Sequence, residues 1–420
     1  MISKIINLFS AKDSTMKPLV LNVFDYVPAK TRMSLKPEFR ENLLNESMEK
    51  AGKKYIRTKT GRRALSNVLG LHENKIYDWI NHGIRIKYEN IMKMANYLGI
   101  SKKAVLKNTE YITAYQVAGR ISIDNWWFTL DDQFTEWLGL VHGDGFVSKY
   151  VVGLSNNDMD LILFFADFAE KVFGFSKSRM GIILRKPDDI SEKKIKTLVS
   201  FLKSKGFVRI SFEKENKKRF VRREVNICVR ISSRILVEFI TSVFSKLPLL
   251  LSGSPNRVKA GYVRGFAAAE GTITRTRGQR TLAIYQKDIS DLKFIKNILH
   301  SMGFENIKFG KGGCNRLEVC GRREIERYEK LVGFGCCRRK NRKLREVIEG
   351  YADILYLKSK KERHQDILEV IKASKFCKCI DISRKLGIDG RYINAMLNEM
   401  LKKEMITVDK SQKSYVYGVE

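Results

Sequence analysis

Hydrophobic positions along this chain recur at two spacings, and the switches between them mark out its elements. Apolar residues three and four apart predict helices over Ala64–Leu69, His72–His82 and Tyr88–Leu98, and again over about Leu161–Phe173 and Leu292–Met302. Similar stripes run through Gln365–Lys372, Asp381–Leu386 and Gly390–Lys402, and the stretch Lys186–Lys205 reads as an insertion, helical from about Ser191. Strict alternation takes over in Thr272–Arg277 and Arg280–Tyr285, with a turn near Gly278-Gln279, which predicts a hairpin. Met405–Val408 and Ser414–Tyr417 read as two further short strands. Stop and start signals agree with these limits. Gly70, Gly83 and Gly99 stand where helices should end. Thr129 and Asp131-Asp132 announce a helix over the next residues, and Ser254 with Pro255 reads as an N-cap followed by a first-turn proline.

The three helices between about residues 62 and 100 resemble the small helix-turn-helix bundle of phage-repressor-type regulators. The last segment, about Lys361–Glu420, places three helices before a two-stranded hairpin and resembles a winged helix-turn-helix. Arg391 and Asn394 would then lie on its recognition helix, with Lys410 and Lys413 in the wing. The plainer reading of either segment is a small packing or protein-binding module.

Between them, two stretches say nearly the same thing. Trp137-Leu138-Gly139-Leu140-Val141-His142-Gly143-Asp144-Gly145 is echoed by Val263-Arg264-Gly265-Phe266-Ala267-Ala268-Ala269-Glu270-Gly271. Each has small residues four apart, Gly139 with Gly143 and Gly265 with Ala269, which share a helix face and let two backbones approach. Each ends in one carboxylate and then glycine, a natural helix stop. Packed through their small faces, the two helices would bring Asp144 and Glu270 to one end, where paired carboxylates suit a divalent metal and phosphodiester chemistry.

This double pattern resembles the LAGLIDADG family of homing endonucleases, in the form that carries both motifs on one chain. The likeness continues past the motifs: Val151–Asp158 and then an apolar helix follow the first, and Thr281–Asp288 and then a helix follow the second. It covers roughly residues 128–350. The fold implied is α+β: a pseudo-twofold pair of αββαββα halves with antiparallel saddle sheets, flanked by the helix-turn-helix and winged-helix segments. The domains expected are residues 1–120, 121–250, 251–355 and 356–420.

Bulk composition adds a partner. The 420 residues carry 79 Lys and Arg against 46 Asp and Glu, a formal charge of +33. Such an excess suits a polyanion, and double-stranded DNA is the first candidate, with structured RNA behind it. At 44% apolar residues the chain is globular in type and long enough for two to four domains. No uncharged apolar run approaches the roughly 20 residues of a membrane span. The seven cysteines are an odd number without paired Cys-x-x-Cys spacing, as in reduced, buried thiols. A monomer in the cytoplasm, associated with the nucleoid, is expected.

The resemblance also assigns residues. Asp144 and Glu270 become ligands of Mg²⁺ or Mn²⁺, and Asn156 and Gln286, each after its hairpin, position water or solvent on the metal. Arg338–Arg345 holds six basic residues in eight; within it, Lys340, four before Leu344, takes the place of a basic residue near the scissile phosphate, with Arg338 the alternative. DNA contacts are expected from Ser148, Lys149 and Tyr150, from Arg209, Lys214, Arg222 and Arg230, from Thr274, Arg275, Thr276, Arg277 and Arg280, and from Arg338 and Arg339. The first half offers no equally clear basic partner; Lys246, near Pro248, is in an uncertain register. His142 and Ala268 stand where the family often has a first acid, and His142 reads as packed or solvated rather than as a general base. The activity implied is Mg-dependent cleavage of both strands at a long site. A regulator that keeps recognition without cleavage, or an RNA-binding splicing helper, are the rivals. An intein is rejected, since Met1 and Gly418-Val419-Glu420 stand where its nucleophile and terminal His-Asn would be.

Overall fold

The computed structural model describes residues 19–26, 31–51, 58–114, 120–121, 126–186, 190–214, 224–276, 279–310, 315–349, 360–374, 377–388, 390–409 and 415–418. The architecture is α+β, in two compact units: Met1–Ala269 with Gly335–Cys337, and Glu270–Phe334 with Arg338–Glu420.

The first unit runs β1 (Val20–Asn22), β2 (Arg32–Leu35), α1 (Pro37–Lys50), α2 (Lys59–Leu69), α3 (Glu73–Asn81), β3 (Ile86–Lys87), α4 (Tyr88–Leu98), α5 (Lys102–Lys107), β4 (Thr109–Thr113) and β5 (Trp127–Thr129). It continues with α6 (Asp132–Gly143), β6 (Gly145–Val147), β7 (Val151–Asn156), α7 (Met159–Phe173), β8 (Gly181–Lys186), α8 (Glu192–Ser204), β9 (Arg209–Lys214), β10 (Asn226–Ser232), α9 (Arg234–Ser252) and α10 (Asn256–Glu270), whose last residue opens the second unit. α2, α3 and α4 occupy the spans that periodicity marks as helical. Gly70 and Gly99 end α2 and α4 in the left-handed conformation, where a Cβ would be penalised. The sequence pattern did not show α1 or the sheet β3-β2-β4 beside these helices.

The larger sheet has the order β6-β7-β10-β8-β9; its pairs are antiparallel except β8 with β9, which run parallel and are joined through α8. A parallel pair needs such a crossover, and this one is the insertion seen in the sequence. One sheet face, with Val152, Leu154, Ile182, Leu184, Ile227, Val229 and Ile231, is buried, with α7 and α9 packed against its β7–β10 region. Around them Trp137, Phe165, Phe168 and Phe173 stack edge and face, and the Trp137 indole donates to the Phe165 carbonyl at 3.1 Å.

One expectation at α9 needs correction. Ser254 does not cap α10: its hydroxyl donates to the Leu250 carbonyl and closes the end of α9, while Pro255 provides the first carbonyl of α10, to Val258 and Lys259 N–H. α9 continues past Pro248 to Ser252, so Ser254 is still within reach of its last turn. α9 is also long and apolar enough, by length and composition, to cross a membrane. Glu238 and Lys246 interrupt it, and Ile235, Leu236, Phe239, Ile240 and Val243 are buried in the protein, so it reads as a core helix.

α6 and α10 meet backbone to backbone. A Cβ on Gly139 would overlap the Tyr262 carbonyl oxygen, one on Gly265 the Glu136 carbonyl oxygen, and one on Gly261 the Asp132 carbonyl oxygen. The contacts climb both helices together, from Asp132 with Gly261 to Glu136 with Gly265, so the two run parallel. The Thr135 hydroxyl, near the start of α6, donates to Val258 O at 2.8 Å. Glu136 is buried beside this seam and pairs with Arg264 at 3.1 Å. Gly335, at positive φ, and Cys336 close over it, the Cys336 N–H donating to Glu136 Oε1 at 3.3 Å. Burial raises the Glu136 carboxyl above its usual range, against the opposing effects of Arg264 and the Cys336 N–H.

The second unit runs β11 (Gly271–Thr276), β12 (Gln279–Tyr285), α11 (Ile289–Ser301), β13 (Ile307–Phe309), β14 (Arg316–Cys320), α12 (Arg322–Leu331) and α13 (Arg338–Glu349). Its sheet order is β11-β12-β14-β13, all antiparallel. α14 (Lys360–Ser374), β15 (Cys377–Lys378), α15 (Cys379–Leu386), α16 (Gly390–Lys402), β16 (Thr407–Asp409) and β17 (Val416–Gly418) follow. They enclose their own core of Ile367, Ile371, Ile382, Ile393, Leu397, Met400 and Tyr417.

Two outcomes are expected from the seam. Gly265→Ala gains up to about 1 kcal/mol of helix propensity but must displace backbone, and should lose about 1–3 kcal/mol net in denaturant titration. Gly253→Ala, with open space at its Cβ, should stay within about 0.5 kcal/mol. Equal effects would show that the seam is not close-packed. Because the Glu136 carboxyl is raised in the fold, folding takes up a proton above the ordinary value of 4.5. Wild-type stability should therefore fall relative to Glu136→Gln as pH rises through that value toward the folded pKa. Parallel stability–pH curves for the two proteins would refute this.

Candidate functional site

Asp144 is placed by the way α6 begins and ends. The Asp131 carboxylate caps its start, accepting the Phe134 N–H at 2.8 Å, and Asp144 closes its end, donating its N–H to Leu140 O at 3.2 Å. Gly145 then starts β6. A Cβ there would strike the Val141 backbone, so the chain can fold back over the last turn only with glycine. The β6–β7 hairpin returns with Gly145 opposite Leu154 and Val147 opposite Val152. Its last residue is Asn156, whose amide donates to Asp144 Oδ2 at 2.5 Å. The Asn156 side-chain Oδ1 accepts the Asp158 N–H at 2.8 Å, and the Asp158 carboxylate caps α7 through the Asp160 N–H. The structure thus joins two residues singled out in the sequence, Asp144 and Asn156, and fixes one by the other. Asp158 Oδ2 also accepts the Cys337 thiol at 3.3 Å. Burial, followed by the charges of Glu136 and the neighbouring thiol and carboxylates, pushes the Cys336 thiol far up, so it stays protonated.

In the second unit the order repeats. Glu270 ends α10 half-buried, Gly271 begins β11, and the hairpin pairs Thr274 with Thr281 and Arg275 with Arg280. Gln286 stands just past β12, where Asn156 is the last residue of β7, and Asp288 caps α11 as Asp158 caps α7. The Gln286 side chain accepts the Lys287 N–H at 2.7 Å, a local bond in place of the one Asn156 makes to its acid. α13 packs on β11, the strand that leaves Glu270. On α13, Lys340 is half-buried over the Phe334 ring at 5.9 Å and Leu344 is buried, which fits one helix face; Arg338 and Arg339 are exposed.

The other expected contacts distribute as follows. Ser148, Lys149 and Tyr150 form the exposed β6–β7 turn, the Lys149 ammonium lying over the Tyr150 ring at 5.3 Å. Arg209 is exposed on β9 and Arg230 half-buried on β10. Thr274 is exposed on β11 and Arg280 half-buried on β12; Arg275 and Thr276 lie in β11 and Lys214 in β9. Asn394 is exposed on α16, and Arg391 stands in that helix's first turn. Arg222, Arg277, Lys410 and Lys413 lie outside the described residues. Lys246 sits over the Tyr26 ring at 4.6 Å. His142 is packed, as expected of a helix-face histidine: its ring lies against Phe244 and Phe266, and Nδ1 shares a hydrogen bond with the Tyr262 hydroxyl.

Sequence reasoning missed Glu136, Arg264 and Tyr262, which meet α6 to α10, and Arg179 beside Arg209. Glu136 and Arg264 stand 128 positions apart, and no local pattern links them.

Residues 257–333 match the family described as LAGLIDADG-like domain. The homing endonuclease I-ApeI of Aeropyrum pernix is 30% identical over 137 residues, covering 29% of this chain and 60% of that protein. The chain thus spans less than two thirds of that relative. Among solved structures, I-DmoI in complex with DNA and Ca is similar over 52% of this chain and 98% of its own, at 16% identity and a TM-score of 0.30. Full-length DUF199/WhiA from Thermatoga maritima is similar over 66% and 92%, at 13% identity and a TM-score of 0.28. Residues 257–333 thus carry a LAGLIDADG-like domain, which begins on the second of the two acid–glycine helices that pack through glycine.

Proposed function

We propose that the protein is a homing-type endonuclease that cuts both strands of DNA at a long, specific site with the help of a divalent metal. One observation carries this reading: α6 and α10 pack in parallel through glycine, and each ends in an acid–glycine step that leads into a hairpin. The similarity to a homing endonuclease over 137 residues supports it. The halves would be two pseudo-twofold αββαββα repeats, the first enlarged by α8 and β9.

The donor chemistry fits a hard cation. Asp144 is a half-buried carboxylate oriented by an amide, and Glu270 is half-buried at the end of its helix. Among the described residues no group of three or more His, Cys, Asp or Glu could hold a metal. Further ligands would then be water and substrate phosphate, an arrangement that Mg²⁺ or Mn²⁺ tolerates well. When bound, the ion supplies Lewis-acid stabilisation to the phosphodiester. The chain's own groups do the rest. Asn156 holds the Asp144 carboxylate in one orientation, and Lys340 offers positive charge near the second acid's strand. Gln286 orients solvent, and the exposed turns and strand arginines grip the backbone and read base edges. The α2–α4 bundle, as a helix-turn-helix, and α14–α16 with β16–β17, as a winged helix, extend the recognised site. The protein acts as a monomer on double-stranded DNA, with the nucleoid as its place of work. The flanking helical modules favour a second reading, a DNA-binding regulator without cleavage.

Sequencing of DNA ends after incubation of genomic or randomised DNA with protein and Mg²⁺ separates the two. Ends should accumulate at one long site with the wild type and vanish with Asp144→Asn or Glu270→Gln, while binding stays within about tenfold, since amides keep the shape but not the charge that holds the metal. Tight binding to one site without ends would make the protein a regulator. Asn156→Ala should lower the cleavage rate about 10- to 100-fold with DNA affinity unchanged, because it loosens a ligand rather than removing one. An unchanged rate would remove Asn156 from the site.

A further inference from the structure

The added strand β9 does more than widen the first sheet. In the register of the three neighbouring strands, Arg230 of β10 pairs with Gly181 of β8, and Gly181 pairs with Arg209 of β9. Paired residues point to the same face, so one row reads arginine, glycine, arginine. Gly181 is the gap in it: a Cβ there would have the Arg230 Cβ at 4.0 Å and nothing nearer. Arg179, just before β8, joins Arg209, Arg230, Gly181, Ser211 and Ser232 in lining a single cleft over this gap. At the far end of β8 and β9 Arg185 is engaged by Glu213 at 2.9 Å, and no acid is among the described residues that line the cleft.

We propose that this cleft is a seat for one phosphate group of a nucleic-acid backbone, built by the insertion and lying outside the acidic centre. Three guanidiniums around a glycine floor, with the Ser232 hydroxyl on the rim, give the forked donors and the room that a tetrahedral dianion or phosphodiester needs, while the Ser211 hydroxyl already donates to the Ile182 carbonyl at 3.2 Å. Burial lowers the Arg179 guanidinium, and the charges of Arg120 and Arg209 lower it further, a repulsion that an anion relieves. The seat makes the insertion an anchoring element: it adds affinity to any sequence alike and leaves base reading to other strands. This rests on the nucleic-acid reading above; a free phosphate would fit the same chemistry.

The test is the salt dependence of binding of the full-length chain to a mixed-sequence DNA duplex, with metal chelated, read by fluorescence anisotropy. Each phosphate contact contributes about −0.9 to the slope of log affinity against log salt, so Arg209→Ala and Arg179→Ala should each make the slope shallower by up to about one such contact. Gly181→Leu keeps every charge and suits a strand, yet fills the floor, and should have the same effect. Arg185→Ala, whose charge is already engaged by Glu213, should leave the slope as it is. Wild-type slopes in Gly181→Leu and Arg209→Ala, with the wild type itself strongly salt-dependent, would overturn the seat and leave the nucleic-acid reading standing. A wild type insensitive to salt would overturn both. Calorimetry with inorganic phosphate alone separates the sources: binding by the wild type that is lost in Arg179→Ala, with all DNA slopes equal, would assign the seat to a free anion and overturn the backbone assignment.

Discussion

The constraint on which the structure turns is the distance between two helix backbones. At Gly139, Gly261 and Gly265 there is room for a hydrogen atom and nothing larger. Dispersion forces are short-ranged, so contact of this kind sets the register of α6 on α10 to within a fraction of a helical turn. Each helix then passes its chain directly into the first strand of a sheet, Asp144-Gly145 into β6 and Glu270-Gly271 into β11. Asp144 and Glu270 thus stand at the ends of close-packed helices, not on loops.

The charge balance has a structural side as well. Several of the chain's 46 acids are spent on folding. Asp131, Asp158 and Asp288 cap helices, Glu136 is buried in the seam, and Glu213 and Glu318 are taken up by arginines on their own sheets. A chain of this kind attracts polyanions through its whole surface and needs local architecture, such as the gap at Gly181, to turn diffuse attraction into defined contacts.

Much of this was legible in the sequence because it depends on local rules. The helices around Gly70 and Gly99, the hairpin at Thr274 and Thr281, and the acid–glycine steps follow from periodicity and backbone chemistry. Asn156 was legible by analogy between the two repeats, and the structure joins it to Asp144. The failures were of another kind. Ser254 had the composition of an N-cap but closes the preceding helix, because a few residues separate the two and local preference cannot say which one claims a hydroxyl. Glu136 with Arg264, and Arg179 with Arg209, are pairings made by tertiary packing, and no spacing rule reaches across such separations. Gly261 makes the same close approach as Gly265 but stands outside the repeated nine residues, so comparison of the repeats passed over it.

The segment Gly335–Cys337 lies in the chain between α12 and α13, yet belongs to the first compact unit, with Cys336 on Glu136 and Cys337 on Asp158. The contact to Glu136 joins positions 200 apart. During synthesis the α6–α10 seam can form once the ribosome has passed Glu270, but Glu136 gains its backbone donor only after the sheet β11-β12-β14-β13 and α12 have also emerged. Contacts of such long sequence separation close late and slowly. The first unit is thus finished only by a piece of chain made after the whole of the second sheet.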